Sequence, residues 1–363
     1  MNRPPRLLLL ALGLMLSITV RAQLTQEQLF QRGGPAPDKR TRTREPMPDE
    51  EVRPSATDPN IQTFDYPHAV YFPAQNRQRN QLLLFIPGTQ PHDKKGDPEK
   101  PSAIRFCKNA ALSGYHAVYL MYPNDVAAAE ACWDKPDLDA FSLFRWALIE
   151  GGSNAYISVP RSESIENRTI KLMLYLQHEH PSQNWGQFVV NGQVAWEKVA
   201  VAGQSQGGGH AAIIATRYLV ARVLCFGAPK DYSRYFHAPA KWYESSVTPM
   251  SRYFAFNNYQ DHQGCSPEQQ LDNIKKLGID KAGGIADVDK EPRPFHHAHV
   301  LFTNWPGTPT DSLTAHGSMI GPKPMTAAGT PLFRPVWLYM LNAPTDGTEP
   351  TNEDEAPGPP EKS

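Results

Sequence analysis

Cysteine is scarce. The chain has four in 363 residues, too few for a disulfide scaffold, and Cys107, Cys132, Cys225 and Cys265 lack the close spacing of a metal-ligand cluster. An excess of either charge is lacking too: 36 basic residues face 37 acidic ones, for a formal net charge of -1. No stripe of Lys and Arg supplies the concentrated positive charge that a phosphate backbone requires, so nucleic acid is not an expected partner. Beyond the N-terminus no apolar run approaches the roughly 20 residues needed to cross a bilayer. What is present is a mixed composition, 40% hydrophobic and 20% charged, which excludes a fibrous or wholly disordered chain.

The two ends read differently from the middle. Arg3 and Arg6 form a short positive region, residues 7–20 are apolar apart from Ser17 and Thr19, and Val20 and Ala22 place small residues before a cleavage site at Gln23. Residues 1–22 are therefore expected to be a signal peptide. The apolar stretch is short for an anchor, so no stable membrane insertion is expected after cleavage, and the protein is expected to be exported, to the periplasm or outside the cell. An oxidising compartment permits a disulfide. Cys107, in an expected helix, and Cys132, after a strand-to-loop transition, are the pair expected to form it, whereas Cys225 lies in an apolar run as a small buried hydrophobe. Residues 23–59 are polar, charged and proline-rich, and residues 343–363 are acidic and proline-rich, so a disordered leader and a disordered tail are expected.

Residues 60–342 have the size and pattern of one α/β domain. Short apolar runs at 69–72, 81–86, 116–122, 199–202, 222–226, 253–257 and 299–303 predict strands. Helical patterns at 103–113, 140–149, 163–178, 207–219, 267–277 and 333–341 alternate with them, which is the form of a mostly parallel sheet covered by helices on both faces.

The most informative segment runs from 199 to 215, where Gly203-Gln204-Ser205-Gln206-Gly207 joins an apolar strand to a small-residue helix. A G-x-S-x-G pattern in that place lifts the serine on a tight turn, and its glycines let strand and helix approach. Ser205 then stands at a helix N-terminus, where backbone N–H groups, principally that of Gln206, stabilise developing negative charge. Alone, the pattern also fits a strand-to-helix turn with an incidental serine.

In context the sequence resembles the α/β-hydrolase superfamily over essentially the whole domain. The elbow GQSQGG is similar to the GHSQGG and GYSQGG forms of secreted esterases, lipases and cutinase-like members. The strand ending in Pro87-Gly88-Thr89 stands where that superfamily places its second oxyanion donor, which implies Thr89, with Gln90 second. The resemblance further implies an α/β-hydrolase fold with inserted cap-like segments and the chain order serine, acid, histidine. Asp261, just past the strand at 253–257, is the expected acid. Asp231, after the preceding strand, is the alternative, and Asp311 lacks a strand-end position. Among 12 histidines, His316 follows the last strand and precedes the closing helix, as a triad base should. His210 is too close to Ser205 in sequence to swing over it. His296, His297 and His299 precede the strand or begin it, and complete no recognised metal spacing.

The expected chemistry is acyl transfer to water through Ser205, His316 and Asp261, with no cofactor and no metal, on a small-molecule or polymer-borne ester. Alternatives are an amidase or peptidase of the same fold and a catalytically silent binding protein on the hydrolase scaffold. Two inserts, 123–198 and 264–298, are expected to shape the pocket. In the first, Ser158, Arg161, Glu163 and Asn167 gather at a helix entry, where Ser162 could cap, and Trp185 and Trp196 are expected to pack in the core.

Overall fold

A computed structural model describes residues 47–73, 77–90 and 103–345. Its main sheet has nine strands: β1 (Glu50–Val52), β2 (His68–Tyr71), β3 (Leu82–Ile86), β4 (His116–Tyr119), β5 (Val199–Gln204), β6 (Arg222–Phe226), β7 (Tyr253–Asn258), β8 (Ile285–Asp287) and β9 (Val300–Thr303). Their spatial order is β1-β2-β4-β3-β5-β6-β7-β9-β8. The β1–β2 and β2–β4 pairs are antiparallel, and all other neighbours are parallel. The described helices are α1 (Pro54–Thr57), α2 (Ile104–Leu112), α3 (Ala128–Cys132), α4 (Ala140–Glu150), α5 (Ile165–Glu179), α6 (Gln206–Arg217), α7 (Pro267–Leu277), α8 (Ser312–Ser318) and α9 (Arg334–Asn342). This is the α/β-hydrolase architecture.

The central strands are apolar at almost every position because helices cover both faces of the sheet. All of β3 and β6 is buried, and so is β5 apart from its last residue. Their side chains alternate between two cores. Leu82, Leu84, Ile86, Val201, Val223 and Cys225 pack with side chains of α4, α5 and α6. Leu83, Phe85, Ala202, Leu224 and Phe226 point the other way, against α2 and α9.

That division corrects the disulfide expectation. Cys107 of α2 belongs to one core and Cys132 of α3 to the other, so the sheet lies between them. All four cysteines are free and buried. The expectations of a signal peptide, secretion and a periplasmic destination gain no support from the described residues, and residues 1–22 lie outside them. None of the described helices is long and apolar enough to cross a membrane.

The end of the segment expected as a disordered leader is structured. Glu50, Glu51 and Val52 pair with Val70, Ala69 and His68 at the sheet edge, and Asp58 at the end of α1 accepts from Asn60 and Asn167. Within the tail segment, residues 346–363 lie outside the described residues. In the first insert Ser164, rather than Ser162, caps α5 through Asn167 N, while Glu163 and Arg168 form a buried ion pair. Trp185 and Trp196 are both buried core residues. The second insert contributes α7 and then the edge strand β8.

Candidate active site

Ser205 joins β5 to α6 with φ 53° and ψ -120°, a conformation that L-residues avoid unless their surroundings enforce it. Here its N–H donates to the Phe226 carbonyl of β6 at 2.8 Å, and its carbonyl accepts from Gly209 N at 3.1 Å. The turn closes only with glycine on either side. A Cβ on Gly207 would lie 1.9 Å from the Ile86 carbonyl oxygen, and one on Gly203 would lie 2.3 Å from the Gly207 carbonyl carbon.

The two glutamines of the elbow brace opposite walls of the site, a role the motif does not announce. Gln204 Nε2 donates to the His316 carbonyl at 3.2 Å. On the other side Gln206 Nε2 donates to Val126 O at 3.0 Å, and its Oε1 accepts from Ala128 N at 2.7 Å. The loop after β3 is similarly held: Tyr122 Oη donates to Pro87 O at 3.0 Å and Asn124 Nδ2 to Gly88 O at 2.7 Å. Gln90 N donates to Asn124 O at 3.1 Å, which commits that N–H and leaves Thr89 as the second candidate donor beside Gln206. Thr89, Gln206, Ser205 and His316 line one cleft of about 330 Å³.

Asp261 follows β7, and its side chain is inaccessible to solvent. Its Oδ2 accepts from His316 Nδ1 at 2.7 Å, and its Oδ1 from Gln263 N at 2.9 Å. Because a carboxylate only accepts, the His316 proton resides on Nδ1, which leaves Nε2 as an acceptor. Asp231 and Asp311 are engaged elsewhere. Asp311 is exposed and caps α8, the helix that carries His316, by accepting from Thr314 N at 2.8 Å. Asp231 receives Arg145 Nε and Nη2, both at 2.5 Å, and Trp242 Nε1 at 2.8 Å.

Three partnerships escaped the sequence. Arg145, buried in α4 at the edge of the cleft, also donates Nη1 to the Gln206 carbonyl at 2.8 Å, steadying the elbow. A Cβ on Gly209 would come within 2.2 Å of Arg145 Nη2, so a third consecutive glycine, which G-x-S-x-G does not require, was the available signal. Lys230 places Nζ 2.8 Å from Asp261 Oδ2 and 2.6 Å from Gln263 O. Finally, α7 supports two loops of the site: Gln270 Nε2 donates to Asp261 O of the acid loop at 2.8 Å, and Asn273 Nδ2 to Pro229 O of the loop that carries Lys230 at 3.2 Å.

Charge and burial set the protonation states. Burial, joined by the Lys230 ammonium, pushes His316 below its ordinary value of 6.5 against the pull of Asp261. Burial acts to raise the Asp261 carboxyl, but His316 and Lys230 together hold it below the usual carboxylate value. His210 lies behind the elbow, with Nδ1 3.4 Å from Arg145 Nη1. Burial and that guanidinium push it well below the ordinary histidine range. His296 and His297 are exposed, whereas His299 is stacked on Phe254 with Nδ1 2.8 Å from Tyr253 O.

No family model and no curated protein matches the chain. Similar solved structures include apo esterase 2 of Thermogutta terrifontis, at 15% identity over 68% of this chain and 83% of that one, with a TM-score of 0.34. A sugar hydrolase of Lactococcus lactis matches at 14% identity over 76% and 92%, with a TM-score of 0.32. A ferulic acid esterase of Anaeromyces mucronatus, in complex with ferulic acid, matches at 11% identity over 77% and 90%, with a TM-score of 0.33. At such values the fold assignment stands on strand order and elbow geometry.

Proposed function

We propose that the protein is a serine hydrolase that cleaves a carboxylic ester through an acyl-enzyme intermediate. The observation that carries this reading is the pairing of His316 Nδ1 with Asp261 at 2.7 Å beside a cleft that His316 shares with the strained Ser205.

His316 Nε2, the nitrogen turned away from Asp261, takes the Ser205 hydroxyl proton as Oγ bonds to the ester carbon. The carbonyl oxygen becomes an oxyanion facing the N–H groups of Gln206 and Thr89, with the N-terminus of α6 behind it. Collapse breaks the bond to the alcohol oxygen, which leaves with the proton from His316. Water then gives a proton to His316 as its oxygen bonds to the acyl carbon, and the second collapse breaks the bond to Oγ, which takes that proton back from His316 as the acid leaves. Asp261 stays ionised throughout and stabilises the imidazolium. Walls of Ala127, Ala128 and Trp133 suit a short or medium acyl or aryl group.

The test is intact-mass detection of a fluorophosphonate adduct on the wild type and on Ser205→Ala, with short and medium acyl esters and matching anilides assayed in parallel. Labelling and ester turnover, both lost in the variant, are expected. Faster anilide than ester turnover would move the reading to an amidase, and no adduct on folded wild type would overturn it in favour of a silent scaffold.

A further inference from the structure

We propose that Lys230 is a positioning residue of this site, whose ammonium fixes the carboxylate oxygen that His316 uses and holds the imidazole in its neutral, proton-accepting state. The inference rests on the serine-hydrolase reading and adds a fourth side chain to it.

The geometry is specific. Lys230 Nζ donates to Asp261 Oδ2 at 2.8 Å and to Gln263 O at 2.6 Å, and it stands 3.3 Å from His316 Nδ1. That last contact joins two donors, because Nδ1–H already points to Asp261, so it is electrostatic repulsion rather than a hydrogen bond. The lysine side chain is only 9% exposed, which limits screening by solvent. Its loop is clamped by Asn273 through the Pro229 carbonyl.

The charge arithmetic gives the lysine its effect. A neutral histidine on an ionised aspartate is a buried unit of net negative charge, and Lys230 brings it to neutrality. Protonating His316 would then create net positive charge beside an ammonium, which burial penalises further. His316 accordingly lies below the ordinary histidine value, with Lys230 among the causes. The other groups around it do not substitute for the lysine. Arg145 and Asp231 neutralise each other. Glu130, His262 and Asp311 are exposed. The Cys265 thiol, pushed up to about 12 by burial, stays uncharged. On the elbow, Ser205 is neutral and Gln204 reaches only the His316 backbone carbonyl.

The experiment compares wild type with Lys230→Met, Lys230→Gln and Lys230→Arg. It reads the pH dependence of ester kcat/KM, the titration of the His316 ring by NMR, and Tm. Glutamine retains a donor without the charge. In both neutral variants the acid limb of kcat/KM and the NMR midpoint of His316 should move up together by about one pH unit, while Lys230→Arg keeps the wild-type midpoint. A merely structural lysine would change Tm and leave the midpoint in place, which would overturn the proposal. Failure of both neutral variants to fold would assign the lysine a structural role and overturn it equally. Absence of fluorophosphonate labelling on wild type strikes the hydrolase reading instead, and the NMR midpoint still measures the coupling of Lys230 to His316.

Discussion

Lys230 and His316 converge on one oxygen: Asp261 Oδ2 lies 2.8 Å from the lysine Nζ and 2.7 Å from the imidazole Nδ1. Carboxylate, imidazole and ammonium thus form a single electrostatic unit, and acid acts on two of its members in the same direction. The depressed Asp261 carboxyl contributes stability that is fully present above the unfolded value near 3.9 and is lost as pH falls through its lower folded value. For His316, also depressed, the unfolded chain binds the proton more readily, so stability starts to decline as pH drops below about 6.5. Urea midpoints of the wild type should fall between pH 7 and 5. His316→Gln should lessen that slope without removing it, because burial also depresses His68, His116, His210 and His299, and an unchanged slope in the variant would contradict the assignment.

Asp261→Asn retains the shape of the side chain but can present an N–H to Nδ1, which favours the wrong tautomer. A loss in kcat of on the order of 10³ to 10⁴ is expected, with the far-UV spectrum unchanged. Activity within tenfold of wild type would return Asp231 to consideration as the acid.

The Arg145–Asp231 pair borders the cleft beside the elbow and is almost fully desolvated, with side chains 2% exposed on each side. Removing one partner strands the other, so Asp231→Ala should destabilise by about 3–5 kcal/mol in urea titrations. Gly209→Ala drives a methyl into the Arg145 guanidinium and should cost about 1–3 kcal/mol. Because both changes act on the same guanidinium, the double variant should fall short of the sum.

Gln206→Ala preserves the backbone N–H offered to an oxyanion and removes the two side-chain bonds to Val126 and Ala128. At about 1 kcal/mol for each such bond, the wall of the cleft loosens and KM should rise, by at most roughly 30-fold at about 1.4 kcal/mol per tenfold, with a smaller change in kcat. Steady-state kinetics on the preferred ester separate the two quantities. A fall in kcat alone would place the effect on the elbow rather than the wall.

All four thiols are buried, and burial pushes Cys132, Cys225 and Cys265 up to about 12. A maleimide should add nothing to the native protein and four labels in denaturant, without prior reduction. Fewer than four labels in the unreduced, denatured chain would reinstate a bridge.

Much of this structure was legible because continuous apolar strings such as LLLFI of β3 and RVLCF of β6 announce strands buried on both faces. What was hidden is short or polar. The three-residue strands β1 and β8 carry no period, and α8, with the sequence SLTAHGS, has no apolar stripe and relies on the Asp311 cap. Within the site, strand order led to Asp261 and His316, which meet, while Arg145 and Lys230 did not stand out. Their partners lie 86 and 31 positions away, and nothing local distinguishes a lysine bound to a buried carboxylate from one in solvent. The disulfide expectation failed for a related reason: sequence spacing places Cys107 near Cys132 but does not say that a sheet separates them.

The grip of Gln270 on the acid loop and of Asn273 on the lysine loop makes the two inserts unequal material for redesign. Exposed loops grafted between the helices of the first insert would retune which substrates enter while the proton-handling groups hold their alignment, provided Asn124, Arg145 of α4 and the stretch braced by Gln206 are retained. Exchange of α7 would reset both together, so divergence in selectivity among descendants of this chain should accumulate in the first insert and spare the second.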